Sequence, residues 1–353
     1  MKVLAFSSNL KVPPEMSIVV VMRRFPSENI EALLDSTKQI TSKHEIIIVT
    51  GCPIEKGANV ELNFKRLLGS NQNLVEVRVA ELPSDKGLAF GRNVGAVLAH
   101  SSNLVFLDDD IVLLDDPALL LHYLEDNVCQ GVQPLLLRSA DRQIVDSAGD
   151  FVRKGRTLFY QAYSKGCDTR IESLGVLCVE ELPSMRGAFM MIRKEPLLDV
   201  GCFDDTFSFN FDDVDLGWRM VAAGYKLLIV PTVRALHKGG RTTDATVRDD
   251  RAVMFGLINS HATHLKIMSF FLWPYVFVRF FDRLLRHEVS KLKKGQVSAA
   301  GVAREMATTT RCLLGKIGWV IFHKRVLARE FGFCGRLKLE SMARGERFVL
   351  SCA

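Results

Sequence analysis

Three aspartates in a row, Asp108, Asp109 and Asp110, close the apolar run NLVFL at 103–107. Adjacent carboxylates repel one another, so such a cluster costs stability unless a cation offsets it. Alternate members, Asp108 and Asp110, can point towards one ligand. A Mg²⁺ or Mn²⁺ ion bridged to a diphosphate fits, because hard cations take oxygen ligands and often keep phosphate in their shell. An acidic loop without a ligand is the competing reading. A second acidic cluster, Asp212-Asp213-Val214-Asp215, leads into LGWRMVAAG. Carboxylates at a helix start are favoured by the helix dipole, so capping alone explains part of it. One of them could instead take a proton from a hydroxyl nucleophile as general base. His237, in PTVRALHKGG, follows a strand-like run and precedes glycines. A lone histidine there is either structural or a ligand.

Lys86-Gly87 and Gly91-Arg92-Asn93 flank the start of a helical pattern. Glycine permits close backbone approach, and Arg92 could pair with a phosphate. The spacing is not GxGxxG and does not follow a first strand, which argues against dinucleotide binding. Neither GxxxxGK[ST] nor GxSxG occurs.

The elements that must hold these residues read as α/β. SIVVVM (17–22), EIIIVT (45–50) and NLVFL are continuously apolar, as strands of a parallel sheet covered on both faces are. LVEVRVAEL (74–82) alternates like a strand. Between the first two lies ENIEALLDSTKQI, with Ile30, Leu33, Leu34 and Thr37 at helical spacing. Further helical patterns run over 88–99, 117–127, 194–200 and 214–225. AFMMI (188–192) and KLLIV (226–230) read as strands, the second stopping at Pro231. The stretch 128–185 is less regular. In open α/β sheets ligands gather beyond the carboxyl ends of the strands, where Asp108–Asp110 fall.

From Asp249 onward the character changes. A dense aromatic-apolar core at 267–278 lies between Lys266 and Arg279. It is too short and interrupted for a spanning helix; an amphipathic helix at a membrane interface and packing on the preceding domain both remain open. Residues 286–330 hold ten Lys and Arg against three Glu, which suits an anionic lipid surface or a solvated helical face. The division expected is a catalytic domain at 1–248 and a mainly helical basic and aromatic region at 249–353.

Net charge is +6 over 353 residues, compatible with polyanionic ligands or anionic membranes and diagnostic of neither. Eight scattered cysteines form no CxxC pair, as expected of buried thiols in a reducing compartment. The N-terminal apolar run is broken by Pro13 and Pro14 and makes a poor signal peptide, so a cytoplasmic location is expected, peripheral membrane contact being left open. No zinc-finger or RNP motif is present, and nucleic acid is not expected as a partner. Oligomeric state is not readable.

In their order, SIVVVMRR, EIIIVTG, LPSDKGLAFGRNVGAVLAHSSNLVFLDDDIVL, RGAFMMIRKEPLLDVGCFDDTFSFNFDDVDLGWRMVAAGY and PTVRALH resemble the family 2 glycosyltransferases, and among these the bacterial rhamnosyltransferase-like branch. The resemblance spans about residues 16–240. It implies a GT-A fold with a mostly parallel central sheet flanked by helices, and a helical C-terminal extension. It implies inverting transfer of a sugar from a nucleoside-diphosphate donor to a hydroxyl of a glycan or lipid-linked acceptor. The family's DxD motif falls on Asp108 and Asp110 with Asp109 between them, its catalytic base on Asp213 beside Asp212, and its late histidine on His237. Gly187 and Ala188 match the loop lining the sugar and acceptor side, and Trp218 the aromatic in the helix after the base. Two positions depart from the pattern. Thr50 stands where the second strand commonly ends in a base-reading Asp, and Met22-Arg23-Arg24 replaces the usual end of the first, so the nucleotide is not assigned. A nucleotidyltransferase and a non-catalytic sugar-binding scaffold are the alternatives weighed.

Overall fold

Alternate residues of the apolar strands go to opposite faces, so a strand such as 17–22 needs cover on both sides. A computed structural model shows that cover. It describes residues 1–7, 12–25, 29–54, 60–125, 128–154, 160–174, 178–208, 210–239 and 250–330. In β2 (Met16–Met22) and β3 (His44–Thr50), Ile18, Val20, Ile46 and Ile48 face one apolar core. Val19, Ile47 and Val49 face the other. Each such side chain, fully buried, contributes about 1.5–3 kcal/mol.

The sheet also contains β1 (Lys2–Ser7), β4 (Leu74–Glu81), β5 (Asn103–Asp108), β6 (Ile111–Leu113), β7 (Gly131–Arg138) and β8 (Val145–Ser147). A separate hairpin is formed by β9 (Asp150–Lys154) and β10 (Tyr160–Ser164). β11 (Glu180–Leu182), β12 (Phe189–Arg193) and β13 (Leu227–His237) complete the sheet. Its order is β1-β4-β3-β2-β5-β12-β7-β13-β11, with β6 on β13 and β8 on β7. β4, β3, β2 and β5 are mutually parallel, as are β7 and β13, and the sheet is mostly parallel through its centre. β12 enters antiparallel between β5 and β7. β1, an edge strand not anticipated from the sequence, lies antiparallel on β4.

The helices of the first 240 residues are α1 (Ile30–Ser36), α2 (Val60–Ser70), α3 (Leu88–Leu98), α4 (Leu121–Glu125), α5 (Lys194–Asp199) and α6 (Asp212–Ala222). α3 lies close on the sheet because Gly91 and Gly95, one turn apart, face it. A Cβ on them would stand 2.4 Å from Val21 and 2.2 Å from Val19. Gly91 thus serves helix–sheet packing and not the approach to a phosphate read from the sequence. Pro231 does not end its strand either. β13 continues to His237, and the pairing with β7 skips between Val230 and Arg234, which accommodates the missing N–H.

The C-terminal helices are α7 (Asp250–Ile267), α8 (Trp273–Lys293), α9 (Ala299–Gly315) and α10 (Ile317–Glu330). The apolar stretch 267–278 is divided by a turn between α7 and α8. Val276, Phe280 and Leu284 of α8 enter the same core as Trp218 and Met220 of α6. A buried ionic network reinforces that seam. Lys266 Nζ donates to Asp204 (2.7 Å) and Asp215 (2.8 Å), and Arg219 Nε donates to Asp215 (2.8 Å). All four side chains are fully buried. Among the described residues, no helix is long and apolar enough to cross a membrane.

Candidate functional site

β5 delivers Asp108 at its carboxyl end, where its N–H donates to the Ala188 carbonyl on the neighbouring strand's approach (3.0 Å). The chain then turns through Asp109 and Asp110 into β6. β6 pairs with the end of β13, opposing Ile111 to His237, so sheet pairing returns the imidazole to the acidic turn. One ligand atom each of Asp108, Asp110 and His237 lie within 4.8 Å of one another. His237 Nε2 stands 3.4 Å from Asp110 Oδ1, and Nδ1 is 2.8 Å from Asp146 Oδ2. With the proton on Nδ1 and donated to Asp146, Nε2 presents a lone pair to the two carboxylates, the arrangement that orients a metal-binding imidazole. Two carboxylates and an imidazole fit a divalent cation. Burial opposes protonation of His237, but hydrogen bonds to Asp110 and Asp146 outweigh it and raise the pKa to about 10. Proton and cation therefore compete for one place. Burial pushes the Asp108 carboxyl above its ordinary range, against the pull of Arg92 and His237.

Part of the cavity lining comes from α6. Asn210 and Phe211 both take left-handed backbone, φ 60° and 74°, an unfavourable geometry for non-glycine residues. The Asn210 carbonyl accepts from Asn259 of α7 (2.8 Å). That bend starts the helix at Asp212. Asp213 lines the cavity; its Oδ2 accepts the Gly187 N–H (2.8 Å) and its Oδ1 the Val214 N–H (2.8 Å). Asp212 turns inward to Arg92. Arg92 Nη1 donates to Asp212 (2.5 Å), and Nη2 to Asp108 (3.1 Å) and the Gly187 carbonyl (2.8 Å). The guanidinium expected to meet a donor phosphate is instead the buried tie between the two acidic clusters. Burial raises Asp212 to about 6, with Arg92 pulling the other way.

These walls enclose an open cavity of about 530 Å³. Arg92, Asp108, Asp109, Asp110, Gly187, Ala188, Asp212, Asp213 and His237 all line it, so nine of the residues singled out in the sequence meet in one place. Two do not line it. Lys86 lies with its ammonium 4.6 Å over the Phe90 ring. Trp218 is fully buried in the core, edge-on to Phe211 and His264. Five residues beyond Asp213 is about 140° round the helix, which turns position 218 away from the cavity.

No protein-family model matches the chain. Pre-mycofactocin glycosyltransferase of Mycobacterium tuberculosis is 27% identical over 164 residues, 46% of this chain and 32% of that protein. Rhamnosyltransferase WbbL of Escherichia coli strain K12 is 27% identical over 143 residues, 39% of this chain and 53% of that one. The chain thus spans between 32% and 53% of the length of these curated relatives. Among solved structures, mannosyltransferase PcManGT from Pyrobaculum calidifontis, in complex with GDP-Man and Mn²⁺, superposes with TM-score 0.50 at 14% identity, covering 95% of this chain and 88% of that one. S. aureus TarS 1-349 gives TM-score 0.51 at 11% identity, covering 96% and 94%. The chain is similar in sequence to the two curated glycosyltransferases over 39% to 46% of its length. Its fold is GT-A.

Two residues of this GT-A cavity carried no signal in the sequence. Asp150, at the start of the β9–β10 hairpin, is buried and lines the cavity; its Oδ1 accepts no hydrogen bond from the described residues. Burial raises it to about 6 against the charge of Arg186, whose Nη1 lies 3.8 Å away. Arg186 precedes Gly187, so one short loop brings a guanidinium and an N–H to the Asp213 side of the cavity. Both residues flank or fall in the irregular stretch 128–185, where no periodicity marked a face. Asp146, the partner of His237, was missed for the same reason.

Proposed function

We propose that the chain is an inverting, metal-dependent glycosyltransferase that moves a sugar from a nucleoside-diphosphate donor to a hydroxyl of a glycan or lipid-linked acceptor. The observation that carries this reading is that Asp213 and the Asp108–Asp110–His237 group line one cavity. The similarity to two glycosyltransferases, and the likeness in fold to PcManGT in complex with GDP-Man and Mn²⁺, agree with it. Asp108, Asp110 and His237 would hold Mg²⁺ or Mn²⁺, which offsets charge on the leaving diphosphate when bound.

The chain's own groups do the rest. Asp213, oriented by the Gly187 and Val214 N–H groups, accepts the acceptor hydroxyl proton. The acceptor oxygen bonds to the anomeric carbon as the bond to the diphosphate oxygen breaks, and the configuration inverts. Arg92 keeps Asp212 and Asp108 together without touching the reacting atoms. Asp150 and Arg186 supply an acceptor and a donor for sugar hydroxyls beside the base. Residues 1–248 form the catalytic unit in this account, and the helices after 249 support it.

Calorimetric titration of UDP-, GDP- and dTDP-sugars with Mn²⁺, Mg²⁺ or chelator tests the donor site. Metal-dependent binding of one donor class, lost in Asp110→Asn, is expected. Equal binding in chelator, or in Asp110→Asn, would contradict the metal assignment.

A further inference from the structure

α8 has three faces. Val276, Phe280, Leu284 and Glu288 are buried against the rest of the protein. A second stripe, Val278, Phe281, Leu285 and Leu292, keeps helical spacing of three, four and seven residues yet stands in solvent. A soluble helix normally turns charge outward at such positions, so among the described residues the stripe is a surface without a cover. It continues into the turn before α8, where Phe270 is 65% and Phe271 91% exposed. Lys324 of α10 fixes that turn by donating to the Met268 carbonyl.

The third face is basic. Arg286 and Lys293 are exposed about 100° round the helix from the apolar stripe, with Arg279 and Arg283 alongside. Outside its buried face α8 carries one carboxylate, Asp282, held between Arg279 (3.2 Å) and Arg286 (2.8 Å). A protruding aromatic turn, an apolar stripe and a cationic rim match a bilayer in order: acyl boundary for the rings, anionic headgroups for the guanidinium and ammonium groups.

We propose that Phe270, Phe271 and the Val278–Leu292 stripe of α8 form a docking surface for an anionic lipid bilayer. The charge complementarity of the rim selects this occupant over a second copy of the chain, whose own rim would be equally basic. α7 links the surface to the cavity. Gly256 lines the cavity, and Ile267, which ends the same helix, lies about 16 Å further along its axis. Docking therefore sets the cavity within reach of headgroups. The proposal does not depend on the transfer reaction, and its test is independent of activity.

The full chain is floated with phosphatidylcholine vesicles and with vesicles containing phosphatidylglycerol, at low and high salt. Binding to the anionic vesicles alone, weakened by salt, is expected. The double variant Phe270→Ser/Phe271→Ser should lower partition about tenfold or more, from the apolar area withdrawn. Arg286→Glu/Lys293→Glu should abolish the preference for phosphatidylglycerol. Circular dichroism melts check that both variants fold. A folded chain that ignores both vesicle types, or variants that bind as well as the parent, overturns the proposal. So does light scattering that shows a dimer dissolved by Phe270→Ser/Phe271→Ser while anionic vesicles go unbound.

Discussion

Replacing Arg92 by Met removes the one cation among the described residues seen to touch both acidic clusters. Its guanidinium side chain is 4% exposed and donates to Asp212, Asp108 and the Gly187 carbonyl. Methionine is also unbranched and fills much of the same space, so the loss is chiefly electrostatic. Breaking a buried pair by deleting one partner costs about 3–5 kcal/mol, because the other charge is left uncompensated. Most of that falls on Asp212, since Asp108 is 30% exposed and keeps contact with water. At about 2 °C per kcal/mol for a chain of this size, the melting temperature should fall by about 6–10 °C.

The pH dependence follows from the same pair. Burial already holds Asp212 at about 6 with Arg92 present. Without Arg92 it rises further. A group raised in the fold contributes its stability below the unfolded value of about 3.9 and loses it as pH rises through the folded value. The deficit of Arg92→Met relative to the parent is therefore full at pH 8 and shrinks by pH 5, where Asp212 is neutral in both proteins. Denaturant melts of both proteins at the two pH values, with chelator present throughout, measure it. A deficit under about 1 kcal/mol, well below that of a broken buried pair, or one that does not shrink at pH 5, refutes the reasoning.

Asp146→Asn should weaken Mn²⁺ binding about 10- to 100-fold in calorimetry, by releasing the imidazole that Asp146 orients. The His237 pKa should fall from about 10 in the same variant, measurable by NMR in chelator. Gly187→Ala places a Cβ 3.0 Å from Arg92 Nη2 and 3.1 Å from Asp213 Oδ2. It should lower turnover about tenfold or more by displacing the base, with little change in donor affinity. Lys266→Met removes the cation paired with Asp204 in the seam between α6 and the C-terminal helices, leaving Asp215 to Arg219, and denaturant melts should show a loss of about 3–5 kcal/mol.

The parallel centre of the sheet was legible because its strands are apolar throughout, and the metal-type cluster because Asp108 follows such a strand directly. Asp212 and Asp213 were legible as an acidic helix start. What they face was not. The partners of Arg92 lie 16 and 120 residues further along the chain, and local spacing left it beside glycines as a phosphate ligand. Of those glycines, Gly91 answers Val21 and Gly87 lies against Ser208. Trp218 illustrates a different limit: its place in the series was matched, but helical rotation sends the ring to the core. Asp146, Asp150 and Arg186 enter the cavity through short strands, a hairpin and a loop whose pairings no residue pattern announces. By sequence the stretch 267–278 suits both membrane contact and packing on the domain, and α8 packs one face while exposing another.

The central claim is that Asp213 takes the proton in an inverting transfer. With the donor identified by calorimetry, its slow hydrolysis in the presence of metal is followed by proton NMR for the parent and Asp213→Asn. The account predicts that the first-formed sugar has the anomeric configuration opposite to the donor's. It also predicts that Asp213→Asn binds donor undiminished but turns over about 10²–10⁴-fold more slowly. Retained configuration, or an Asp213→Asn protein as fast as the parent, would contradict it.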